Sequence, residues 1–419
     1  MNAVPLEQVK SPVKTPALLR LTLAAALMAV IAAPALGADA ALGPEQPLET
    51  AAGSQLAFPP TLAANQDGSF AVTWSRQQPG SNPEVVVRTG SATDVLDEPH
   101  VLGGGEYPAL EGQVAPMSEG YTAIWRETIF VGGTVRVRYP LFTQLLDGEG
   151  NPQGPRRELS ALSAIPRPGQ GVVTWWWDKT GFRVQVLNNE GVPLASPGRL
   201  LRIKSSDEFH IVAAANGNLV AIWRTQVLRS PHWVHMGYWA QRLNPLGNPV
   251  GAPFELSPRR PKGTRDYLRA ALGDDGTLAV ATVTAPVATL VPRNLTLRTF
   301  DRNGRPLGGP VVIGSGIEHR NVMALAVAPD GQGLLVWREQ VDDGGYTGLA
   351  QRFTRRAQPL EGPSQLHSTD NPDQYVACCG DAAWAGDSWL VTWIGRPSGD
   401  PGASDFEGAP YVRRFAPLP

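Results

Sequence analysis

Gly217-Asn218-Leu219-Val220-Ala221-Ile222-Trp223 is an apolar run entered through a glycine turn and closed by tryptophan, and the same unit returns along the whole chain. The turn glycines are Gly68, Gly120, Gly169, Gly217, Gly276, Gly331 and Gly386. A tryptophan follows five to seven residues later at Trp74, Trp125, Trp175, Trp223, Trp337 and Trp393. The fifth unit has Thr282 at that place. A later segment of the unit also recurs, as Ala240-Gln241-Arg242-Leu243, Arg298-Thr299-Phe300 and Ala350-Gln351-Arg352-Phe353. A polar turn such as Asn244-Pro245-Leu246-Gly247 follows it, then a short strand such as Pro253-Phe254-Glu255-Leu256. Gly supplies the positive φ of such turns and Pro stops the ladder from running on.

Successive turn glycines are 48 to 59 residues apart, the length of a four-stranded propeller blade and too long for leucine-rich or ankyrin units. The second strand of each unit is nearly continuous in apolar residues, which requires cover on both faces, as for a blade held between two others. The expected fold is therefore all-β: a seven-bladed β-propeller of four-stranded antiparallel blades. With 419 residues, 45 Gly, 39 Pro and 42% apolar residues, the chain has the turns and the core material for it.

The two ends of the chain point to how the ring closes. The C-terminal Tyr411-Val412-Arg413-Arg414-Phe415 matches a third strand, so the seventh unit lacks its fourth. Gln46-Pro47-Leu48-Glu49 repeats Gln358-Pro359-Leu360-Glu361, which precedes the fourth strand of the sixth unit. Residues 44–53 are thus expected to supply the closing strand of the last blade and to hide two open edges. The Trp-ending strand, the Ala-Gln-Arg-Phe-like strand and the Gly-x-Pro turn resemble β-propeller repeats of secreted bacterial proteins. The resemblance implies architecture over essentially the whole mature chain and says little of activity.

The first residues read as a targeting signal. Lys10, Lys14 and Arg20 precede the 13-residue apolar run Leu21–Ala33, and Ala35-Leu36-Gly37 offers small residues to a signal peptidase. Cleavage is expected after Gly37, with Ala40 as the alternative. That gives a signal peptide 1–37, a propeller 38–419, and an exported protein, periplasmic or extracellular, with no membrane span once the signal is removed. The mature chain keeps 33 Lys plus Arg against 37 Asp plus Glu, a net of −4, which offers no footprint for nucleic acid.

No motif for nucleophilic, dinucleotide or zinc chemistry is present, and the sialidase-type Ser-x-Asp-x-Gly-x-x-Trp box is not reproduced. Asp147-Gly148-Glu149-Gly150-Asn151 has the oxygen donors of a calcium loop, but stands where each unit has a hairpin turn. His232 and His235 lead into a strand, where positions three apart face opposite ways, so no metal and no other cofactor is expected. Cys378 and Cys379 are either two buried thiols or a vicinal disulfide.

Candidate ligand residues cluster after the tryptophans. Arg126, Arg224 and Arg338 follow the repeat Trp in blades two, four and six, as a ring of cations or as partners of carboxylates such as Glu127 and Glu339. In blade three, Trp176, Trp177 and Asp178 are expected to run on into the loop, beside Arg224 and Trp233 of the next blade. Such loops (Ser75 to Pro83, Arg224 to His232, Ile394 to Pro410) are long and variable, and binding concentrates on variable loops of rigid scaffolds. The expected function is a non-enzymatic binding or scaffold module for a protein or glycan on that loop-rich face. The alternative is a glycan-active hydrolase or lyase with carboxylates at the channel mouth, drawn from Glu106, Asp207, Glu208, Asp266, Glu318 and Asp373.

Overall fold

The computed structural model describes residues 41–49, 55–131, 136–161, 163–169, 171–179, 181–200, 208–229, 232–257, 264–286, 294–314, 322–340, 346–367, 374–397 and 408–417. The segment 1–37 lies outside them, as do Asp207, Glu318 and Asp373 and the side chains of Trp233, Asp266, Cys378 and Cys379. The described strands form seven four-stranded antiparallel sheets and one small two-stranded hairpin. The chain is a seven-bladed β-propeller.

The innermost strands are Gln55–Ala64, Ala109–Pro116, Ser163–Arg167, Phe209–Ala213, Thr264–Leu272, Val322–Val327 and Gln374–Ala385, in blades one to seven. All seven repeat glycines stand at positive φ, between 71° and 88°, as their turns demand. At Gly120 a side chain would also drive into the backbone of Leu146 and Asp147. The second strands are buried on both sides because every seam carries its own apolar cluster. One joins Leu62, Phe70, Val72 and Trp74 of blade one to Leu390, Ile394 and Val412 of blade seven.

The Gln-Arg dipeptide of the third strand has a structural meaning. Gln241 Nε2 donates to the carbonyls of Val250 and Gly251, and Gln351 Nε2 to that of Glu361, clamping the outermost strand where it leaves the ladder. The arginine of the dipeptide reaches the next blade: Arg242 donates to Gly276 O, and Arg414, which follows Arg413 rather than a glutamine, donates to Gly68 O. Blade three has Val186 at this position. Arg167, from its innermost strand, donates to Gly217 O instead. In blade five, Thr282 replaces the tryptophan and its hydroxyl pairs with that of Thr296 at 2.7 Å.

The N-terminal segment closes the ring. Gln46 and Pro47 pair with Val412 and Tyr411 of the last blade's third strand, Ala409–Phe415. The inferred closure holds, but the tetrapeptide match that suggested it is six residues out of register. Leu48 N donates to Pro410 O, as Leu366 N does to Gly348 O and Leu256 N to Tyr238 O. The true counterparts of Gln46-Pro47-Leu48-Glu49 are therefore Ser364-Gln365-Leu366-His367, whereas Pro359 corresponds to Ala41, each bridging the last residue of its third strand.

Candidate functional site

The innermost strands start at the face that carries the second-to-third hairpins, so their first residues border the channel mouth there. In blade two this start is bulged: the pairing register shifts between Leu110 and Gln113, and Glu111 sits at φ +57. A non-glycine residue in that conformation costs energy that the surroundings must offset, and such residues concentrate at functional sites. The bulge gives Glu111 to Arg126, whose Nε donates to Glu111 Oε2 at 2.9 Å and whose Nη1 donates to Tyr139 O.

Glu111, Gln113 and Arg126 of blade two, Ser163 and Trp175 of blade three, and His210 of blade four border one chamber of about 260 Å³. At about 30 Å³ per water it holds roughly nine. His210 links the chamber to a second charged cluster beside it. Glu208 meets Arg224 Nη1 at 3.1 Å and His210 Nε2 at 3.2 Å, and accepts the Tyr238 O–H at 2.8 Å. Burial pushes the Glu208 carboxyl up, but the bonds from His210 and Tyr238 and the charge of Arg224 outweigh it and hold it below the ordinary carboxylate range. Glu208 is thus kept as an anion beside Arg224.

The expected residues fall into three groups. Arg126 borders the chamber, as does Trp175, which was read only as a repeat tryptophan, while Arg224 lies outside its lining, paired with Glu208. Trp176 and Trp177 do not run into a loop: they belong to the strand Gly171–Asp178, paired with Arg183 and Phe182. Trp177, 44% exposed, meets Phe182 edge-on at 4.9 Å, and Phe182 stacks on Phe209 of blade four at 4.2 Å. Asp178 pairs with Arg183. The stretch Arg224 to His232 is also no loop. Leu219–Arg229 and His232–Leu243 form one long hairpin in which Trp233 pairs with Leu228. Arg338 is apart from the chamber, buried over the ring of Tyr346 at 4.1 Å.

Glu127 and Glu339 partner indoles rather than the repeat arginines: Trp125 Nε1 donates to Glu127 at 3.1 Å and Trp337 Nε1 to Glu339 at 2.8 Å. Asp147 caps its own turn, accepting from the N–H groups of Glu149 and Asn151. Among the described residues no His, Cys, Asp or Glu group is arranged to hold a metal.

The chain matches no protein-family model and no curated protein. Its fold is similar to that of an ancestral GH74 enzyme, with a TM-score of 0.50 and 9% identity over 90% of this chain and 51% of that one. The likeness shows the fold alone. The chain spans about half the length of that enzyme. The Dos1 propeller aligns over 89% of this chain and 95% of its own at 10% identity and a TM-score of 0.43. A Trypanosoma rangeli sialidase in complex with sialic acid aligns over 88% and 58% at 10% identity and 0.37.

Glu111, Gln113, Ser163 and His210 were missed from sequence. For Gln113 and His210 the signal was there: each is polar among mainly apolar neighbours of an innermost strand, and aligning the first strands on the following glycine turn exposes them.

Proposed function

We propose that this propeller is an exported binding module that holds a carbohydrate ring in the chamber between blades two and four. The observation that carries this is the meeting of the Trp175 indole with Gln113, Ser163, His210 and the Arg126–Glu111 pair in one cavity. A flat apolar surface edged by donors and acceptors is what a sugar ring needs. The acid cluster beside the chamber favours binding over hydrolysis. A glycosidase keeps one carboxylic acid protonated near neutral pH, whereas Glu208 is held below the ordinary carboxylate range. The exposed Trp177 and the long hairpin of blade four extend the same side of the molecule and would contact a longer chain or a protein carrying the glycan.

Gln113→Ala and His210→Ala each remove a hydrogen-bonding group worth about 0.5–1.5 kcal/mol. Each should weaken the best ligand of a glycan panel by roughly 2- to 10-fold at unchanged melting temperature. A panel with no ligand, or two variants that bind as the parent does, refutes the proposal. Release of reducing ends on incubation would favour the hydrolase alternative.

Export is part of the proposal. Lys10, Lys14, Arg20 and the apolar run Leu21–Ala33 support it. N-terminal sequencing of the protein from the exterior or periplasm should begin at Ala38 or within a few residues. An intact Met1 on protein confined to the cytoplasm would overturn it.

A further inference from the structure

The pairing register sets one height in the channel. On each blade one innermost residue lies opposite the residue that precedes the repeat Trp or Thr282. At this height stand Thr61, Gln113, His210, Arg269 and Asp381, with Ala164 and Ala324 completing the level. From here toward the glycine turns the lining becomes aliphatic. It reads Leu62-Ala63-Ala64 in blade one and Ala270-Ala271-Leu272 in blade five, and together the blades enclose a throat of about 320 Å³. Three residues of strand make it about 10 Å deep. A polar collar therefore sits on an apolar throat that opens at the turn face, away from the chamber between blades two and four.

The collar's charges differ in how they are committed. Asp381 accepts the N–H of Leu62 across the seam to blade one and that of Ala382, so its oxygens are tied to backbone. Burial raises its pKa, which weakens it further as a counter-ion. Arg269 is exposed on an innermost strand. Such a strand borders only its two neighbouring blades and the channel, so an exposed side chain there opens into the channel. Among the described residues no direct hydrogen bond or ion pair ties down Arg269, although its charge is felt by the Asp381 carboxyl, and the small Ala324 at the same height on blade six leaves it room.

We infer that the throat binds a small aliphatic monocarboxylate, its head on Arg269 and its hydrocarbon tail among the Ala, Val and Leu side chains below. A guanidinium takes a carboxylate in a bidentate pair, and the throat offers a methylene chain mostly aliphatic contact, with the Trp384 indole at one side and Gln66 and Asp274 at the turn face. An amine-headed amphiphile would meet Arg269 as a like charge, with Asp381 already engaged.

The test is calorimetric titration of the full mature protein with octanoate, butyrate and octylamine. Octanoate is expected to saturate one site, and butyrate to bind far more weakly, since each buried methylene strengthens binding roughly fourfold. Octylamine should give no saturable binding. Arg269→Gln should weaken octanoate at least tenfold, and Ala271→Phe, which fills the throat, should abolish it. Arg269 is exposed, so its variant should keep the parent's melting temperature and remain decisive even if Ala271→Phe fails to fold. No saturable octanoate binding, equal binding of octylamine, or unchanged affinity in Arg269→Gln overturns the inference. A glycan bound between blades two and four should bind the parent and Arg269→Gln alike.

Discussion

Leu48→Asp is expected to open the ring, driving association into larger oligomers than the parent forms and lowering the melting temperature sharply. Leu48 is fully buried, in the cluster that joins Leu62, Phe70 and Trp74 of blade one to Leu390, Ile394 and Val412 of blade seven. Removing a buried leucine side chain costs about 2–5 kcal/mol. Placing a carboxylate in that apolar cluster adds the cost of desolvating a charge. The next residue is also engaged: Glu49 accepts the Trp74 indole N–H at 3.0 Å and an Arg76 N–H at 2.6 Å, so a displaced strand strands both. The third strand of blade seven would then present a free edge that invites pairing with another chain. Light scattering after size exclusion, with a thermal melt, reads both effects. A variant with the parent's oligomeric state and stability would show that the ring does not depend on this strand.

Arg414→Met should come close to it in cost. Arg414 is buried and crosses the same seam, donating to Gly68 O at 3.1 Å and Ser388 Oγ at 2.7 Å and pairing with Asp94 at 2.8 Å. Asp94 itself stands at φ +60. Removing one partner of such a pair leaves the other uncompensated and costs about 3–5 kcal/mol when both are buried. Asp94 is partly exposed, so the lower end of that range is expected. Methionine keeps much of the apolar bulk, so the loss reports the charge and its bonds rather than a cavity. Denaturant unfolding of Arg414→Met beside Arg414→Met/Asp94→Asn separates them: the double variant should recover part of the loss, and a single variant within 1 kcal/mol of the parent would contradict this account.

The blade pattern was legible because its signals are local and physical. A positive-φ turn selects glycine, and a strand covered on both faces must be apolar throughout, so Gly217 and Leu219–Trp223 announce themselves. The Gln-Arg dipeptide was visible too, but not its purpose, since its partners lie on another strand or another blade. The tetrapeptide match at Gln46 and Gln358 misled in detail because identity of residues is not identity of register. Leu48 belongs with Leu366 and Leu256, set by a backbone bond to the third-strand residues Pro410, Gly348 and Tyr238. Trp176, Trp177 and Arg224 were assigned to loops because the repeat was taken to end at tryptophan. Pairing continues past it wherever the following residues suit a strand, as Val227, Leu228 and Val234 do in blade four. The chamber was hidden for a different reason: Glu111 reaches it only through a bulge, and one irregular residue leaves no periodic trace.

The closing strand also sets a clock. Pro47 finds its partner in Tyr411, some 360 residues later in the chain. At the usual 5–20 residues per second, roughly 20–70 s of synthesis separate the two. Throughout that time the apolar Leu48 has no blade to enter and the seams on either side of it stay unfilled. Blades two to six can assemble from strands made within moments of one another, but the seam between seven and one must come last. The growing chain is therefore an open crescent with two sticky margins until its final residues emerge, and a chaperone would have its longest opportunity there. A variant that slows ring closure without weakening the finished ring would lower yield while leaving the melting temperature of the surviving protein untouched.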